Sequence, residues 1–304
     1  MKIYLSRINE SWIIDRIRKE WLENNPSLST KFIYRSDIIW IISPWLWKNL
    51  PKRQLAKKKV ICSHYHFDFD IFDKKDFYEL DEYVDEYHVI SNKTLDQLKT
   101  LTNKKITSIP FWIDQKKFYE INNKDRLRQE FGFVEKDYLV GSFQRDTEGS
   151  DNISPKLIKG PDIFVEKVKE LKLKNENLMV VLAGKRRNYI IKELKKLNIS
   201  YKYFEMVNAE ALNKLYNILD LYLVTSRIEG GPQAILECAI TKTPILSTNV
   251  GVAGEILHSE SLYEPKNFYK AKTNVEHAYN NALRYKLPEG MNLFKDMIFK
   301  FYEN

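Results

Sequence analysis

Two glutamates, Glu229 and Glu237, lie eight residues apart in a segment that also contains Gly230, Gly231 and Pro232. Carboxylates are natural acceptors for the hydroxyl groups of a sugar or a ribose. The two glycines permit a ligand to approach the backbone closely, and Pro232 suits the first turn of a helix. Free N–H groups and the positive end of a helix dipole favour a phosphate group. The segment therefore predicts a site for a ligand that carries both hydroxyls and phosphate.

The elements around this segment place it at the edge of a sheet. Residues 221–225 are short, apolar and β-favouring, which predicts a buried strand, and residues 232–240 are predicted to form the helix that follows. A Gly-rich turn between a strand and a helix is common, so the two glutamates alone identify no function.

The wider pattern is specific. The spacing Ser-x-x-Glu-Gly-x-Pro-x-x-x-Leu-Glu, followed by Thr-Pro-Ile-Leu-Ser-Thr-Asn-Val-Gly-Val-Ala-Gly-Glu at residues 243–255, resembles the nucleotide-sugar site of retaining GT-B glycosyltransferases, especially glycosyltransferase family four. The resemblance implies that Glu237 holds ribose hydroxyls and that Glu229 holds the donor sugar. It also implies that the anomeric configuration is retained.

The same resemblance assigns further donor contacts in the second half of the chain. In the family, a loop after the first strand supplies an Arg and a Lys to the diphosphate, and Arg145 and Lys159 match those positions. The loop between them looks longer than usual, and Lys156 is a competing cation. The backbone near Met206 and Val207 is expected to meet the nucleobase.

Gly184 ends a predicted strand at residues 178–183 and completes the set of expected donor-binding residues. All ten glycines occur at Gly132 or later. The first 131 residues therefore lack a Gly-rich phosphate loop, and a nucleoside diphosphate is expected to bind the second half.

His64 follows directly on a predicted strand in the first half, where ligands gather in doubly wound sheets. Family members often have a histidine here that faces the donor sugar, and His66 is the rival candidate. Asp68 and Asp70 imitate an Asp-x-Asp metal motif, but that motif needs a nucleotide-binding sheet in its own domain. We therefore predict no metal site and no cofactor besides the donor substrate.

Strands and helices alternate along both halves, which predicts α/β domains with mostly parallel sheets. The resemblance implies the GT-B fold: two doubly wound Rossmann-like domains that face a central cleft, with a C-terminal helix crossing back to the first domain. The predicted domains are residues 1–115 with helix 290–304, and residues 116–289. The connection Ile-Pro-Phe-Trp-Ile-Asp departs from the Ile-Pro-Asn-Gly-Val-Asp that is usual in the family.

Composition limits the partners. The net charge is +8, but the lysines are scattered among acidic residues, which is typical of a solvated surface and does not favour nucleic acid. Trp40, Trp45 and Trp47 precede a run of lysines, so peripheral contact with an anionic membrane is an alternative to a buried strand with a basic helix. Two widely spaced cysteines and the absence of a predicted signal peptide or membrane span favour the cytoplasm.

The sequence thus predicts a retaining, metal-independent glycosyltransferase. It would move a hexose-type sugar from a nucleoside diphosphate sugar to a glycan or lipid-linked acceptor, in polysaccharide or glycoconjugate synthesis. One alternative is a GT-B enzyme that acts on a small-molecule acceptor or as a nucleotide-sugar epimerase. Another is a non-catalytic protein that binds nucleotide sugars or glycans.

Overall fold

The computed structural model describes residues 1–7 and 13–303. Within these residues the strands are β1 Ile3–Leu5, β2 Ile38–Ile41, β3 Lys59–His64, β4 Glu86–Val89, β5 Lys105–Ser108, β6 Tyr138–Ser142, β7 Thr147–Glu148, β8 Ser154–Pro155, β9 Leu178–Ala183, β10 Tyr201–Phe204, β11 Leu221–Val224, β12 Ile245–Thr248 and β13 Leu262–Tyr263. The α-helices are α1 Ile13–Asn24, α2 Lys52–Leu55, α3 Lys74–Asp81, α4 Asn92–Lys99, α5 Lys124–Glu130, α6 Pro161–Lys172, α7 Asn188–Lys196, α8 Ala209–Ile218, α9 Gln233–Ile240, α10 Ala253–Ile256, α11 Val275–Ala282 and α12 Glu289–Glu303.

The chain divides into two compact units. Unit 1 contains Met1–Trp112 and Pro288–Asn304, and unit 2 contains Ile113–Leu287. The sequence placed these boundaries after residue 115 and after residue 289. The first boundary lies three residues earlier and the second lies two residues earlier. At the first boundary, Trp112 donates to Glu20 of unit 1 at 2.9 Å, whereas the Ile113 N–H donates to the Tyr285 carbonyl of unit 2 at 2.8 Å.

The sheet of unit 1 is parallel, with the order β1-β2-β3-β4-β5. Residues around Ser29 extend it beyond β1: the Ile3 N–H donates to the Leu28 carbonyl at 2.7 Å, and the Thr30 N–H donates to the Ile3 carbonyl at 2.9 Å. The Ser29 segment and β2 therefore lie on opposite sides of β1. The direction in which successive segments are added to the sheet reverses at β1. This reversal makes unit 1 doubly wound.

Aromatic side chains cover one face of the unit 1 sheet. Trp40 of β2 contacts Trp21 of α1 and Phe294 of α12, with ring centroids 5.2 and 5.5 Å apart. Phe111 and Trp112 also contact Phe294, and both are at least 96 % buried. These two residues replace the Asn-Gly that is usual at the hinge because here they belong to the core of unit 1.

A buried polar chain crosses the same sheet. The Trp40 indole donates to Ser63 Oγ at 2.8 Å, and Ser63 Oγ lies 2.9 Å from His88 Nδ1. His88 Nε2 lies 2.8 Å from the Ile109 carbonyl, which only accepts, so the proton is on Nε2. Ser63 then donates to Nδ1, and every group in the chain has a partner. Burial lowers the pKa of His88 to about 4, so its imidazole is neutral near pH 7.

Unit 2 contains a six-stranded parallel sheet with the order β10-β9-β6-β11-β12-β13. Numbered from its own first strand, this is the order 3-2-1-4-5-6 of the Rossmann fold. Apolar clusters lie on both faces of the sheet, one around Leu139 and Tyr222 and one around Val140 and Leu223. The short strands β7 and β8 form a separate antiparallel hairpin after β6.

Two helices begin at defined points of the chain. A 3₁₀ turn at Pro265–Lys270 precedes α11 and is separate from it. The helix begins anew because the Asn274 side chain accepts the His277 N–H at 3.0 Å as an N-cap. The helix predicted for residues 11–22 appears as α1, but Ser11 and Trp12 lie outside the described residues.

Candidate functional site

The central strands β6 and β11 of unit 2 are neighbours, and the strand order reverses between them. Residues 143–145 follow β6, and residues 225–229 follow β11. In open α/β sheets, ligands bind at the carboxyl ends of the strands where the order reverses. The segment with Glu229 and the segment with Arg145 thus meet at the position where this fold binds ligands.

Lys159 and Glu229 form an ion pair at this position, between Nζ and Oε1. Their side chains are only 13 and 12 % exposed. The Ser226 hydroxyl lies 3.3 Å from the same carboxylate oxygen. The structure therefore brings together two residues that the sequence predicted, and Oε1 of Glu229 receives both contacts while Oε2 has no hydrogen-bond partner among the described residues.

The two loops that carry this ion pair are fixed to each other through their backbones. The Ile158 carbonyl accepts the N–H groups of Arg227 and Ile228 at 2.8 and 3.1 Å. Gly160 has a left-handed φ of 60°, and a Cβ there would lie 1.8 Å from the Thr225 carbonyl oxygen. Only glycine permits so close an approach, and the backbone beside Lys159 is held in place as a result.

Gln144 is a residue of this site that the sequence reasoning missed. Its side-chain amide donates to the Lys159 carbonyl at 3.0 Å, and its Oε1 accepts from Ser226 Oγ at 3.3 Å. Gln144 therefore connects the segment after β6 with Lys159 and with Ser226, whose hydroxyl also lies beside Glu229. Its position two residues after a buried strand was the only sequence signal that could have identified it.

Asp146 and Arg187 form a second, fully buried connection that the sequence did not predict. The Arg187 guanidinium is 0 % exposed and donates to the Asp146 carboxylate and to the carbonyls of Ser142 and Ala183. Ser142 and Ala183 end β6 and β9. This pair therefore fixes the carboxyl ends of two strands beside the site and has a positioning role.

Arg145 is exposed and directed by a 2.9 Å hydrogen bond from its Nε to the Thr147 carbonyl. Partial burial and the neighbouring Arg186 lower its pKa, although a guanidinium remains charged at neutral pH. Lys156, the competing cation, begins the 3₁₀ turn Leu157–Lys159 and is half-buried. Arg145, Lys156 and Lys159, the cations considered for phosphate binding, thus occur on one loop, and Lys159 is also the partner of Glu229.

The turn before α9 differs slightly from the prediction. The helix begins at Gln233, and Pro232 is its N-cap with an extended ψ of 114°, so the helix does not include Pro232. Within the described chain, the N–H groups of Gly230 and Gly231 donate no hydrogen bond. They are available to an anion. The Gly230 carbonyl lies against Gly251, where a Cβ would approach to 2.1 Å.

Glu237 lies inside unit 2 and is 4 % exposed. The Tyr216 hydroxyl donates to its Oε2 at 2.7 Å. Burial and this carboxylate raise the pKa of Tyr216 well above its ordinary value, so the phenol stays protonated and keeps donating. The core of unit 2 therefore fixes the orientation of Glu237.

The remaining predicted donor contacts lie at the ends of β9 and β10. Gly184 follows β9 with a φ of 87°, and its N–H donates to the Phe204 carbonyl at 3.2 Å. Met206 is 65 % exposed, and the backbone groups of Met206 and Val207 make no hydrogen bond within the described residues. Their N–H and C=O groups are free to pair with a planar ligand.

Comparison with known proteins identifies this part of the chain. Residues 150–290 match the family described as glycosyl transferases group 1. The matched residues make up slightly less than half of the chain and include most of unit 2. The match includes Lys159, Glu229 and Glu237, and it confirms the family that the sequence motif indicated.

Solved structures extend the likeness to the whole chain. HepE from Anabaena, in complex with UDP and glucose, has a TM-score of 0.75 at 13 % identity and covers 99 % of this chain and 100 % of its own. Sucrose-phosphate synthase from Thermosynechococcus elongatus has a TM-score of 0.72 at 12 % identity over 98 % of this chain and 81 % of its own. These likenesses show the fold, and the predicted GT-B fold is confirmed.

One curated relative also matches. Protein CapJ of Staphylococcus aureus is 25 % identical over 177 residues, which is 55 % of this chain and 45 % of CapJ. The chain thus spans less than half of the length of this relative.

His64 lies in unit 1 and is 9 % exposed. Its ring stacks on Phe67 at 5.0 Å and contacts Phe77 and Tyr87. Burial and the neighbouring His66 lower the pKa of His64 to about 3, and His64 Nε2 has no hydrogen-bond partner in the described residues. His64 therefore lies in an aromatic cluster as a neutral imidazole. A contact of His64 or His66 with a donor sugar stays a prediction.

Two further predictions concern metals and membranes. Among the described residues, no group of three or more His, Cys, Asp or Glu side chains is arranged to hold a metal ion. None of the described helices is both long enough and apolar enough to cross a membrane. Trp40 and Trp47 are at least 99 % buried, whereas Trp45 is 46 % exposed. Most of the aromatic stretch that could have touched a membrane surface is therefore core.

Proposed function

We propose that this glycosyltransferase moves a hexose-type sugar from a nucleoside diphosphate sugar to a glycan or lipid-linked acceptor, with retention of configuration and without a metal ion. The observation that supports this proposal best is the Lys159–Glu229 pair at the carboxyl ends of β6 and β11. A cation suited to phosphate and a carboxylate suited to sugar hydroxyls lie side by side there. Such a pairing fits a ligand in which a phosphate is bonded directly to a sugar.

The leaving diphosphate gains negative charge as the glycosidic bond breaks. Arg145 and Lys159, together with the free N–H groups of Gly230 and Gly231, are the groups that would stabilise this charge. Fixed donors directed at developing charge are an effective means of lowering a reaction barrier. In the proposed reaction these groups replace a divalent cation.

The sugar and the nucleoside have separate partners in this proposal. Glu229 would accept hydrogen bonds from sugar hydroxyls, and Glu237 from the ribose. The free backbone groups of Met206 and Val207 would pair with the nucleobase. The acceptor would bind unit 1, because the first 131 residues lack a phosphate loop.

The chemical step transfers the sugar between two oxygens. The acceptor hydroxyl oxygen bonds to the anomeric carbon as the bond to the β-phosphate oxygen breaks, and the hydroxyl proton passes to the departing phosphate. Attack from the same face as the leaving group accounts for retention. This route needs no carboxylate nucleophile, so Glu229 and Glu237 are assigned to hydroxyl recognition.

UDP-glucose is the first donor to test, because HepE has been solved with UDP-glucose at a TM-score of 0.72. The protein would be screened against UDP-, GDP-, ADP- and CDP-sugars in the presence of EDTA, with the melting temperature as readout. A ligand that binds only the folded state raises that temperature. No shift with any donor would refute the proposed donor class.

Turnover of the best donor would then be followed with glycan and lipid-linked acceptors, and the product anomer read by NMR. Inverted product would exclude retention. Activity that EDTA abolishes and Mg²⁺ or Mn²⁺ restores would exclude the metal-free reaction. Sugar released or rearranged without an acceptor would indicate an epimerase, and nucleotide-sugar binding without turnover would indicate a binding protein. Preferred turnover of a free small molecule would indicate a metabolite acceptor.

We further propose that the protein works in cell-surface polysaccharide or glycoconjugate synthesis at the cytoplasmic side of a membrane. A lipid-linked acceptor would place the enzyme there, even though none of the described helices can cross a membrane. Flotation of the protein with anionic vesicles, compared with neutral vesicles, tests the membrane contact.

A further inference from the structure

The loop between Arg145 and Lys159 is a hairpin that brings Lys156 back beside Arg145. Thr147 pairs with Pro155 in the hairpin of β7 and β8. The Lys156 N–H then donates to the Asp146 carbonyl at 2.8 Å, which extends the pairing by one residue. Lys156 therefore lies opposite Asp146, the neighbour of Arg145.

The base of this hairpin is fixed. The Asp146 carboxylate accepts from the fully buried Arg187, and the Asp146 and Thr147 N–H groups both donate to the Arg186 carbonyl, at 3.2 and 3.1 Å. Arg186 holds a left-handed φ of 58°, which non-glycine residues seldom adopt. Because the backbone opposite Lys156 is anchored in this way, the Lys156 side chain starts from a defined position.

The Lys156 ammonium makes no hydrogen bond or ion pair with any described residue, although the side chain is half-buried. Burial, Lys159 and Arg145 all lower the pKa of Lys156. Lys159 differs, because Glu229 already compensates its charge. A partly desolvated cation without a counter-ion is costly, and an anion at this position would remove that cost.

The charges around Lys156 also favour an anion at this position. Besides burial, Lys159 and Arg145 disfavour the charge on Lys156, and Arg186 disfavours that on Arg145. Positive charge concentrated on one loop suits the phosphates of a nucleoside diphosphate sugar.

We propose that Lys156 binds the donor diphosphate and that the β7–β8 hairpin serves to place it there. This inference rests on the proposed donor class. It makes Lys156 a determinant of the preference for a diphosphate over a monophosphate. Lys159 then divides its charge between the phosphate and Glu229.

The test compares Lys156→Gln with Lys156→Arg and with a control, Lys136→Gln. Lys136 is an exposed lysine before β6, at the opposite end of that strand, and its loss changes the net charge equally. Binding of UDP and UMP is measured by calorimetry, or of the matching pair for whichever base the donor screen identifies. Inorganic pyrophosphate serves as a probe without a base.

We expect Lys156→Gln to weaken UDP binding roughly tenfold to a hundredfold, as loss of a charge-assisted hydrogen bond does, and to weaken UMP binding less than about threefold. Pyrophosphate binding should weaken with UDP. Lys156→Arg should restore most of the affinity, and Lys136→Gln should change neither ligand. Unchanged UDP affinity in a folded Lys156→Gln protein, or equal losses for UDP and UMP, would overturn the inference. A wild-type protein that binds no nucleotide would instead refute the proposed donor class.

Discussion

The Tyr216 hydroxyl donates a 2.7 Å hydrogen bond to Glu237 Oε2 within the core of unit 2. Tyr216 is 1 % exposed and Glu237 is 4 % exposed. A buried carboxylate needs hydrogen-bond donors, and a phenol whose pKa is raised remains one across the physiological range. Tyr216 of α8 therefore constrains the orientation of Glu237, the carboxylate for which we propose ribose binding.

Removing this hydroxyl is expected to affect both stability and nucleotide binding. Tyr216→Phe should cost about 1–3 kcal/mol in the free energy of unfolding, because a buried charged acceptor loses a donor. Nucleotide affinity should fall as well, since Glu237 loses its orientation, and Glu237→Gln should reduce the same affinity. Urea unfolding and calorimetry with the donor nucleotide measure the two effects.

Tyr263→Phe is the matched control for this prediction. Tyr263 is also buried, and its hydroxyl donates to the Val224 carbonyl at 3.0 Å, with no carboxylate involved. It should lower stability and leave nucleotide affinity nearly unchanged. If the two variants lowered affinity equally, the assigned link from Tyr216 to the ligand through Glu237 would be wrong.

The Lys159–Glu229 pair should show a large coupling energy. Because both side chains are about 87 % buried, removal of either partner leaves the other as a poorly solvated charge. We expect Lys159→Met and Glu229→Gln each to destabilise unit 2, and the double variant to lose less than the sum of the two. A coupling of about 1–3 kcal/mol would be typical of groups in direct contact.

Arg227 and Asp162 provide the reference pair for this double-mutant cycle. Their side chains are 44 and 37 % exposed, although the pair is bidentate, so solvent screens it and its coupling should stay below about 1 kcal/mol. Equal couplings in the two cycles would show that burial does not distinguish the pairs. Turnover should fall by orders of magnitude in Lys159→Met and stay near the wild-type rate in Asp162→Asn.

The residues of the site that the sequence could predict best are those that lie close together in the chain. Glu229, Glu237 and the glycines between them lie within one strand–turn–helix unit, so their spacing and the motif around them indicate a ligand. Gln144 could not be found in this way, because its partners Lys159 and Ser226 are distant in sequence and meet it only after the sheet has formed.

In the fold as well, elements set by neighbouring residues were easier to predict than those set by residues far apart in the sequence. The strands predicted at residues 178–183 and 221–225 follow from short apolar runs and were found to within one residue. The short strands β7, β8 and β13 were not predicted. The connection between the units was harder to predict, because the positions of Phe111 and Trp112 depend on packing against Phe294, which lies more than 180 residues later.

Gly160 should tolerate substitution far worse than another glycine with a similar backbone. Gly160→Ala forces a Cβ to within 1.8 Å of the Thr225 oxygen and also strains a φ of 60°. Gly149→Ala adds the same kind of strain at a φ of 76°, but its nearest neighbour is the Asp151 side chain at 3.0 Å. We expect Gly149→Ala to cost about 1–2 kcal/mol from strain alone, and Gly160→Ala to cost several kcal/mol and to lower nucleotide affinity.

Urea unfolding monitored by far-ultraviolet circular dichroism compares these two variants. If the two variants lost the same free energy of unfolding, backbone strain would account for both losses, and the close contact with the Thr225 carbonyl would contribute nothing. A Gly160→Ala protein that failed to fold would still be informative, because Gly149→Ala, with comparable strain, would be folded.

The buried His88 should make unit 1 sensitive to acid. Its pKa is about 4 in the folded protein, against roughly 6.5 in an unfolded chain. Above pH 6.5 neither state binds the proton, so the contribution of neutral His88 to stability is fully present. As the pH falls from 6.5 toward 4, the unfolded state takes up a proton that the folded state refuses. Protonation at this one site should then lower the free energy of unfolding by up to about 1.4 kcal/mol per pH unit, and by about 3 kcal/mol in all.

Tryptophan fluorescence reports this effect selectively, because all six tryptophans precede residue 113. We expect the free energy of unfolding of unit 1 to fall as the pH is lowered from 7.5 to 4.5, and His64, with a pKa of about 3, to add to the slope. His88→Gln should be less stable at pH 7.5, because it loses part of the Trp40–Ser63 hydrogen-bond chain. Its free energy of unfolding should nevertheless depend less on pH, because unfolding of this variant takes up one proton fewer. His258→Gln, in unit 2, should leave that slope unchanged. A His88→Gln slope equal to that of the wild type would mean that His88 does not titrate between the two states.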